Sequence, residues 1–179
     1  MVKKNKIQFA PIDNIQIVGV STSLKDYKLA WHLNDRLKLN LVRHGNIEME
    51  NDMEIKSVYS FYYYNAGENS NTYNLVSLIQ DGIPWMKVKP RTDFLLIIRN
   101  AITVEKLRDY IESIRQIKQI NHAYLLDVNK IKGVMEVIDM VEMHEINVLK
   151  EIAERIDPRK RMEVLRKSFE KDPLKKERP

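Results

Sequence analysis

The fold is decided by the stretch Phe94-Leu95-Leu96-Ile97-Ile98, an uninterrupted apolar run of strand length. Such a run is typical of a strand that is buried on both faces of a sheet. We therefore expect it near the centre of the sheet. Downstream, Thr103 is suited to cap a helix in which apolar residues recur at helical spacing. Residues 122–128 are then predicted to form a second strand. This part of the chain is predicted to be a strand, a helix and a strand.

The segment before this run predicts a similar unit. Residues 15–21 are rich in isoleucine and valine and predict a buried strand. A helix follows, for which Ser23 is the expected N-terminal cap. Its apolar residues include Trp31, which we expect in the core because it shares the apolar side of the helix. Residues 39–43 can form a short second strand.

Two clearer strands, 57–64 and 72–80, are separated by a polar segment and should pair as a hairpin. The first holds a run of aromatic residues from Tyr59 to Tyr64. Because side chains alternate along a strand, we expect one set of these rings in the core and the other exposed. A core or cross-strand role is the favoured explanation of the run, and stacking of nucleic-acid bases on exposed rings is the alternative.

The order of elements predicts an α+β domain over residues 1–130. We expect a mainly antiparallel sheet with two helices on one face, a ferredoxin-like variant with extra strands. Residues 131–179 are predicted to form a helical hairpin extension with a basic, loosely ordered end, because Asp157-Pro158 interrupts the helical pattern. The apolar stripe of this extension is a candidate surface for a protein partner or a second copy: Ile131, Val134, Ile138, Val141 and Ile152.

Positive charge is concentrated near the end of the chain, which carries a formal net charge of +5. Clustered cations attract phosphate backbones, so RNA is a possible partner, and a solvated tail that only aids solubility is the alternative. Trp85, in a loop with several cations, is a further candidate for partner binding, or else it covers the sheet edge. The candidate nucleic-acid-binding residues are Arg159, Lys160, Arg161, Arg166 and Lys167.

Several classes of function are not indicated. The chain has no cysteine, which excludes disulfides and thiolate chemistry. Its four histidines lack the spacing of a helical metal site, and no phosphate-binding glycine loop or nucleophile elbow occurs. The acidic group Glu48, Glu50, Asp52 and Glu54 lacks the pattern of a calcium loop. We therefore predict no catalytic residues, no metal and no cofactor. Since no signal region or apolar span is evident, we expect a cytoplasmic protein without membrane insertion.

Three segments of the sequence also resemble segments of a known protein family. They are Ser23-Leu24-Lys25-Asp26-Tyr27-Lys28-Leu29-Ala30-Trp31-His32-Leu33-Asn34, then Ile83-Pro84 followed by Asp93-Phe94-Leu95-Leu96-Ile97, and finally His122-Ala123-Tyr124-Leu125-Leu126-Asp127-Val128-Asn129-Lys130. Over about residues 5–132 the chain resembles a bacterial family named for its IPExxxVDY motif. Here Trp85 replaces the glutamate of the motif, Thr92 its valine and Phe94 its tyrosine. The resemblance implies no particular activity or ligand.

These observations favour a non-enzymatic interaction or scaffold protein, which binds a protein or an RNA-containing assembly through its C-terminal helices and basic patches. The alternative is a small-molecule binding protein or an enzyme, whose site would be a cleft assembled from residues distant in sequence. The presence of such a cleft cannot be read from the sequence.

Overall fold

The computed structural model describes residues 14–50, 56–67 and 70–156. These residues fall into two units, one that ends at Glu136 and one that begins at Val137. The strands are β1 (Ile15–Thr22), β2 (Val42–Glu50), β3 (Lys56–Asn65), β4 (Thr72–Ser77), β5 (Ile79–Gln80), β6 (Ile83–Pro84), β7 (Phe94–Arg99) and β8 (Ile120–Leu126). The helices are α1 (Asp26–Leu37), α2 (Val104–Arg115) and α3 (Val134–Ile156), and a 3-10 turn spans Val128–Lys130.

Across the described residues, six strands form one sheet in the order β2-β3-β4-β7-β1-β8. Every neighbouring pair is antiparallel. The predicted class, α+β with a mainly antiparallel sheet, is confirmed. The apolar run that begins at Phe94 forms β7, between β4 and β1, and its residues from Leu95 to Ile98 are fully buried. Burial of consecutive residues means that both faces of this strand are covered, as the run predicts.

The aromatic strand and the strand that follows it pair as predicted. In the hairpin of β3 and β4, Phe61 lies opposite Val76 and Tyr64 opposite Tyr73. The sheet extends one strand further than the hairpin, because β2 pairs with the outer side of β3. Of the predicted short strand over 39–43, only Val42 and Arg43 belong to this edge strand, which continues to Glu50. Its register shifts between Arg43 and Asn46, around a glycine with positive φ, Gly45.

Helices α1 and α2 contribute to one core with alternate residues of the sheet. From α1 the core receives Leu29 and Leu33, and from α2 Leu107 and Ile114. Their counterparts on the strands include Val18, Val20, Leu75, Leu96 and Ile98. Burial of such side chains stabilises the fold by roughly 1.5–3 kcal/mol each.

The two helix starts differ in how well they were predicted. Thr103 caps α2 as expected, because its side chain accepts a hydrogen bond from the backbone amide of Lys106. The predicted cap at Ser23 is wrong. Helix α1 begins two residues later than that cap implies, after Lys25, which makes no side-chain cap bond. The hydroxyl of Thr22 instead accepts a hydrogen bond from the amide of Leu24 and so orders the approach to α1.

Candidate functional site

A polar cleft of about 660 Å³ opens beside the first turn of α1, within the first unit. Polar groups from β1, β2, β3, β4 and the loops before α1 and β7 converge on it. Apolar side chains contribute the rest of its wall. Its lining consists of Thr22, Leu24, Lys25, Asp26, Arg43, Asn46, Val58, Ser60, Ser77, Ile79, Gln80, Asp81, Asp93 and Phe94.

On one wall, the side chain of Asp93, the residue just before β7, forms hydrogen bonds with the end of β1. One of its carboxylate oxygens accepts hydrogen bonds from the Ser21 hydroxyl at 3.0 Å and the Thr22 amide at 2.9 Å. The other oxygen accepts from the Arg91 guanidinium at 3.0 Å. The carboxylate side chain is 10% exposed, whereas that of Arg91 is 76% exposed. Buried polar groups require hydrogen-bond partners, and here the Asp93 carboxylate is the acceptor for the Ser21 hydroxyl and the Thr22 amide.

On the opposite wall, Asp26 of α1 is paired with Arg43 of β2 at 3.2 Å. The same carboxylate oxygen accepts a hydrogen bond from the Tyr62 hydroxyl at 3.1 Å, and Arg43 also donates to Asn46 at 2.8 Å. Burial, reinforced by the negative charge of Asp26, raises the pKa of Tyr62 to about 12. The phenol therefore remains protonated near neutral pH and acts here as a hydrogen-bond donor.

Three further polar side chains of the cleft remain available to a ligand. Within the described residues, Lys25, Gln80 and Asp81 form no side-chain hydrogen bond or ion pair. A cation, an amide and a carboxylate can together bind a small polar molecule by hydrogen bonding. Ser60 and Ser77 line the cleft, but no histidine does, so the lining contains no pairing of a serine with a histidine base.

Helix α1 presents a second surface, on its outer side. Tyr27 is 54% and Trp31 63% exposed, so the prediction that Trp31 lies in the core is wrong. The buried arc of α1 is centred on Leu29 and Leu33. Trp31 lies about 160–200° from these residues around the helix, given about 100° per residue. Its ring contacts the edge of His32, with ring centroids 4.8 Å apart.

The aromatic run of β3 does not form an open stacking surface. Tyr59, Phe61, Tyr62 and Tyr63 are all buried, and Tyr64 is half-buried and packs against the core. Rings of both alternation sets are therefore covered, and the expectation that one set is exposed is wrong. The run serves as core, since cross-strand aromatic pairs such as Tyr64 and Tyr73 stack within it.

The predicted partner-binding residues differ in exposure. Val134, Ile138 and Val141 are buried, and Ile131 and Ile152 are half-buried. Trp85 is also half-buried, and its ring stacks on that of Tyr59 at 4.9 Å. The predicted nucleic-acid-binding residues lie outside the described part of the chain: Arg159, Lys160, Arg161, Arg166 and Lys167.

A different set of apolar residues is exposed on α3. Met143 is 60%, Ile146 46% and Leu149 44% exposed. Their spacing of three residues places them on one side of the helix, within an arc of about 120°. We call these three residues the α3 stripe. The sequence shows that they are apolar, but it does not distinguish them from the buried valines and isoleucines of the same helix.

Neither a metal site nor a membrane span is apparent in the part of the chain that the structure describes. Within residues 14–50, 56–67 and 70–156, no three histidine or acidic side chains are grouped in a way that would hold a metal ion. Among the described helices, none combines the length and the apolar character needed to cross a bilayer. Part of the acidic group that includes Glu48 lies outside the described residues.

Comparisons with protein-family models, with curated proteins and with solved structures give no match for this chain.

Proposed function

We propose that this protein is a non-enzymatic interaction protein, and that its C-terminal extension binds a protein partner through the α3 stripe. The observation that supports this is the exposure of Met143, Ile146 and Leu149 on one side of α3. Large apolar side chains grouped on a surface favour association, because covering them removes apolar area from water. The cations from Arg159 to Lys167 would add contacts to phosphates if the partner assembly contains RNA.

The proposal extends to the fold of the first unit, for which we propose a ferredoxin-like variant with extra strands. Strands β7 and β8 both lie beside β1 and run antiparallel to it. The connection through α2 therefore joins two parallel strands with β1 between them, which is the split β-α-β arrangement of that fold class. The resemblance to the IPExxxVDY family and a cytoplasmic location are part of the same proposal.

The decisive experiment is affinity purification of the full chain from the cells that make it, with and without ribonuclease treatment. We expect a partner that survives ribonuclease and is lost when Met143, Ile146 and Leu149 are changed together to glutamine. The matched control changes Val104 and Leu125, two exposed apolar residues outside α3, to glutamine and should retain the partner. Equal capture by the two variants would refute the proposed surface.

Two further measurements separate the alternatives for this partner. Deletion of residues 157–179 should weaken capture, because the cations from Arg159 to Lys167 are lost, while the far-ultraviolet circular dichroism of the remaining chain is preserved. Unchanged capture would show that the basic end contributes nothing to binding. Light scattering at two protein concentrations tests whether the partner is a second copy. A mass that rises with concentration in the wild type, but not in the glutamine variant, would identify a homodimer.

The second candidate function is binding of a small polar molecule, and the cleft beside α1 favours it. The available side chains there are Lys25, Gln80 and Asp81. A panel of amino acids, sugars and nucleosides can be tested for a rise in the thermal unfolding midpoint, since a ligand that binds only the folded state stabilises it. Lys25→Ala and Asp81→Ala should abolish that rise. A rise that persists in both variants would place the ligand elsewhere.

A further inference from the structure

The outer side of α1 has the geometry of a shallow ring-binding site. Leu24, Tyr27, Lys28, Trp31, His32 and Gln119 surround a concavity of about 560 Å³. Tyr27 and Trp31 lie one helical turn apart, and more than half of each side chain is exposed. The loop that carries Gln119 is held against the end of β1, because the Gln119 carbonyl accepts a hydrogen bond from the Thr22 hydroxyl at 2.8 Å.

The charges of this surface are positive and unpaired. The acids of α1 already have ion-pair partners: Asp26 has one in the cleft at 3.2 Å, and Asp35 pairs with Lys38 at 3.8 Å. In contrast, Lys28, which lines the concavity, forms no ion pair within the described residues, and no carboxylate lines the concavity. The surface is therefore complementary to a ligand that is negatively charged.

Exposed aromatic rings beside free cations match the chemistry of a nucleotide chain. A flat base can stack on the ring of Trp31 or Tyr27, and a phosphate of the same strand can contact Lys28. The side-chain amide of Gln119 can donate to, or accept from, the edge of an unpaired base. We propose that this surface of α1 binds single-stranded nucleic acid by stacking bases on Tyr27 and Trp31, with Lys28 at a phosphate.

This proposal goes beyond the protein-binding function and does not depend on it, because it uses α1 and not the α3 stripe. A base paired in a duplex is already stacked between its neighbours, so the surface should prefer unpaired strands. An acidic peptide could form an ion pair with Lys28, but its carboxylate side chains have no flat ring to stack on Trp31. The observations therefore favour a nucleic-acid strand over an acidic peptide.

The test uses the fluorescence of Trp31 in the full-length chain. The sequence contains two tryptophans, so Trp85→Phe leaves Trp31 as the sole reporter. This substitution should be tolerated, because the Trp85 ring packs on Tyr59 and its indole nitrogen forms no hydrogen bond within the described residues. Titration with a short oligouridylate should quench Trp31, since stacking brings the base into contact with the indole. The same sequence annealed into a duplex should quench it much less.

Variants then separate stacking from general attraction to cations. In a filter-binding assay with labelled oligouridylate, Trp31→Ala should weaken binding by about fivefold to 150-fold. Trp31→Phe should retain much of the affinity, because a ring remains. Lys28→Gln should reduce the slope of log affinity against log salt by about one. Leu125→Ala, at another exposed apolar residue, is the control and should bind like the wild type.

Four results would overturn the proposal. The first is unchanged Trp31 fluorescence at saturating oligouridylate, and the second is equal affinity of wild type and Trp31→Ala, which would assign binding to other cations. The third is binding of uridine monophosphate as tight as that of the oligomer, which would indicate a mononucleotide ligand. The fourth is quenching by poly-L-glutamate but not by oligouridylate, which would indicate an acidic peptide.

Discussion

Removing the Asp93 carboxylate should destabilise the first unit more than its small side chain suggests. In Asp93→Ala, the Thr22 amide and the Ser21 hydroxyl lose their acceptor, and both residues are less than a tenth exposed. A buried polar group without a partner costs roughly 1–3 kcal/mol, so the two together should cost about 2–6 kcal/mol. The lost ion pair with Arg91 adds under about 1 kcal/mol, because that guanidinium is largely in water.

Two related variants calibrate this estimate. Asp93→Asn keeps one acceptor oxygen for Thr22 and Ser21 and should cost about 1 kcal/mol, and Arg91→Ala should cost less than about 1 kcal/mol. Urea unfolding followed by tryptophan fluorescence is the appropriate assay, because both tryptophans, Trp31 and Trp85, lie in the first unit. If Asp93→Ala unfolds at the same urea concentration as Arg91→Ala, the buried network contributes no stability and the reasoning is refuted.

The other predictions concern packing and pH, and all are measured by urea unfolding. Gly19→Ala should lower the free energy of unfolding by roughly 1–3 kcal/mol, because a Cβ atom there would lie 3.2 Å from side-chain atoms including one of Leu126. An unchanged urea midpoint would contradict this. Leu96→Ala should cost roughly 2–5 kcal/mol, whereas Leu125→Ala, 53% exposed, should cost under about 1 kcal/mol; similar losses in the two variants would disprove the assignment of the core. The pKa of Tyr62 is raised from 10.0 to about 12, so its neutral form is favoured in the folded state. Its stabilising contribution should be complete below pH 10 and fall as the pH rises towards 12, and Tyr62→Phe should weaken that fall; identical pH profiles would exclude this role.

Much of the fold was predictable because the deciding signals are local. The run from Phe94 to Ile98 is too apolar for a surface strand or a loop, and it forms a central strand. Thr103 caps α2 because a cap needs only a hydroxyl and an amide three residues later. The hairpin of β3 and β4 follows from two β-rich segments with a polar segment between them. Each of these features depends on residues that are near one another in the chain.

The candidate site was not predictable in the same way. Asp93 reaches Ser21 and Thr22 across 72 and 71 positions of sequence, and Tyr62 reaches Asp26 across 36. The sequence shows that Asp93 directly precedes the buried strand, but it does not show that Ser21 and Thr22 are the hydrogen-bond partners of Asp93. Such groups meet only because the sheet places β1 beside β7 and because α1 and Tyr62 of β3 pack into the same core. Strand order is a long-range property, which local patterns leave open.

The sequence by itself determined where the two helices and the main strands of the first unit lie and which of their residues are apolar. Only the tertiary structure decided which of those residues are covered. Trp31 and Leu33 are both apolar residues of α1, yet one is 63% exposed and the other fully buried. The physical reason is that a helix buries only the arc that contacts its neighbours, and that arc is set by the rotation of the helix on the sheet. The exposed rings of α1, on which the nucleic-acid proposal rests, are a consequence of that rotation.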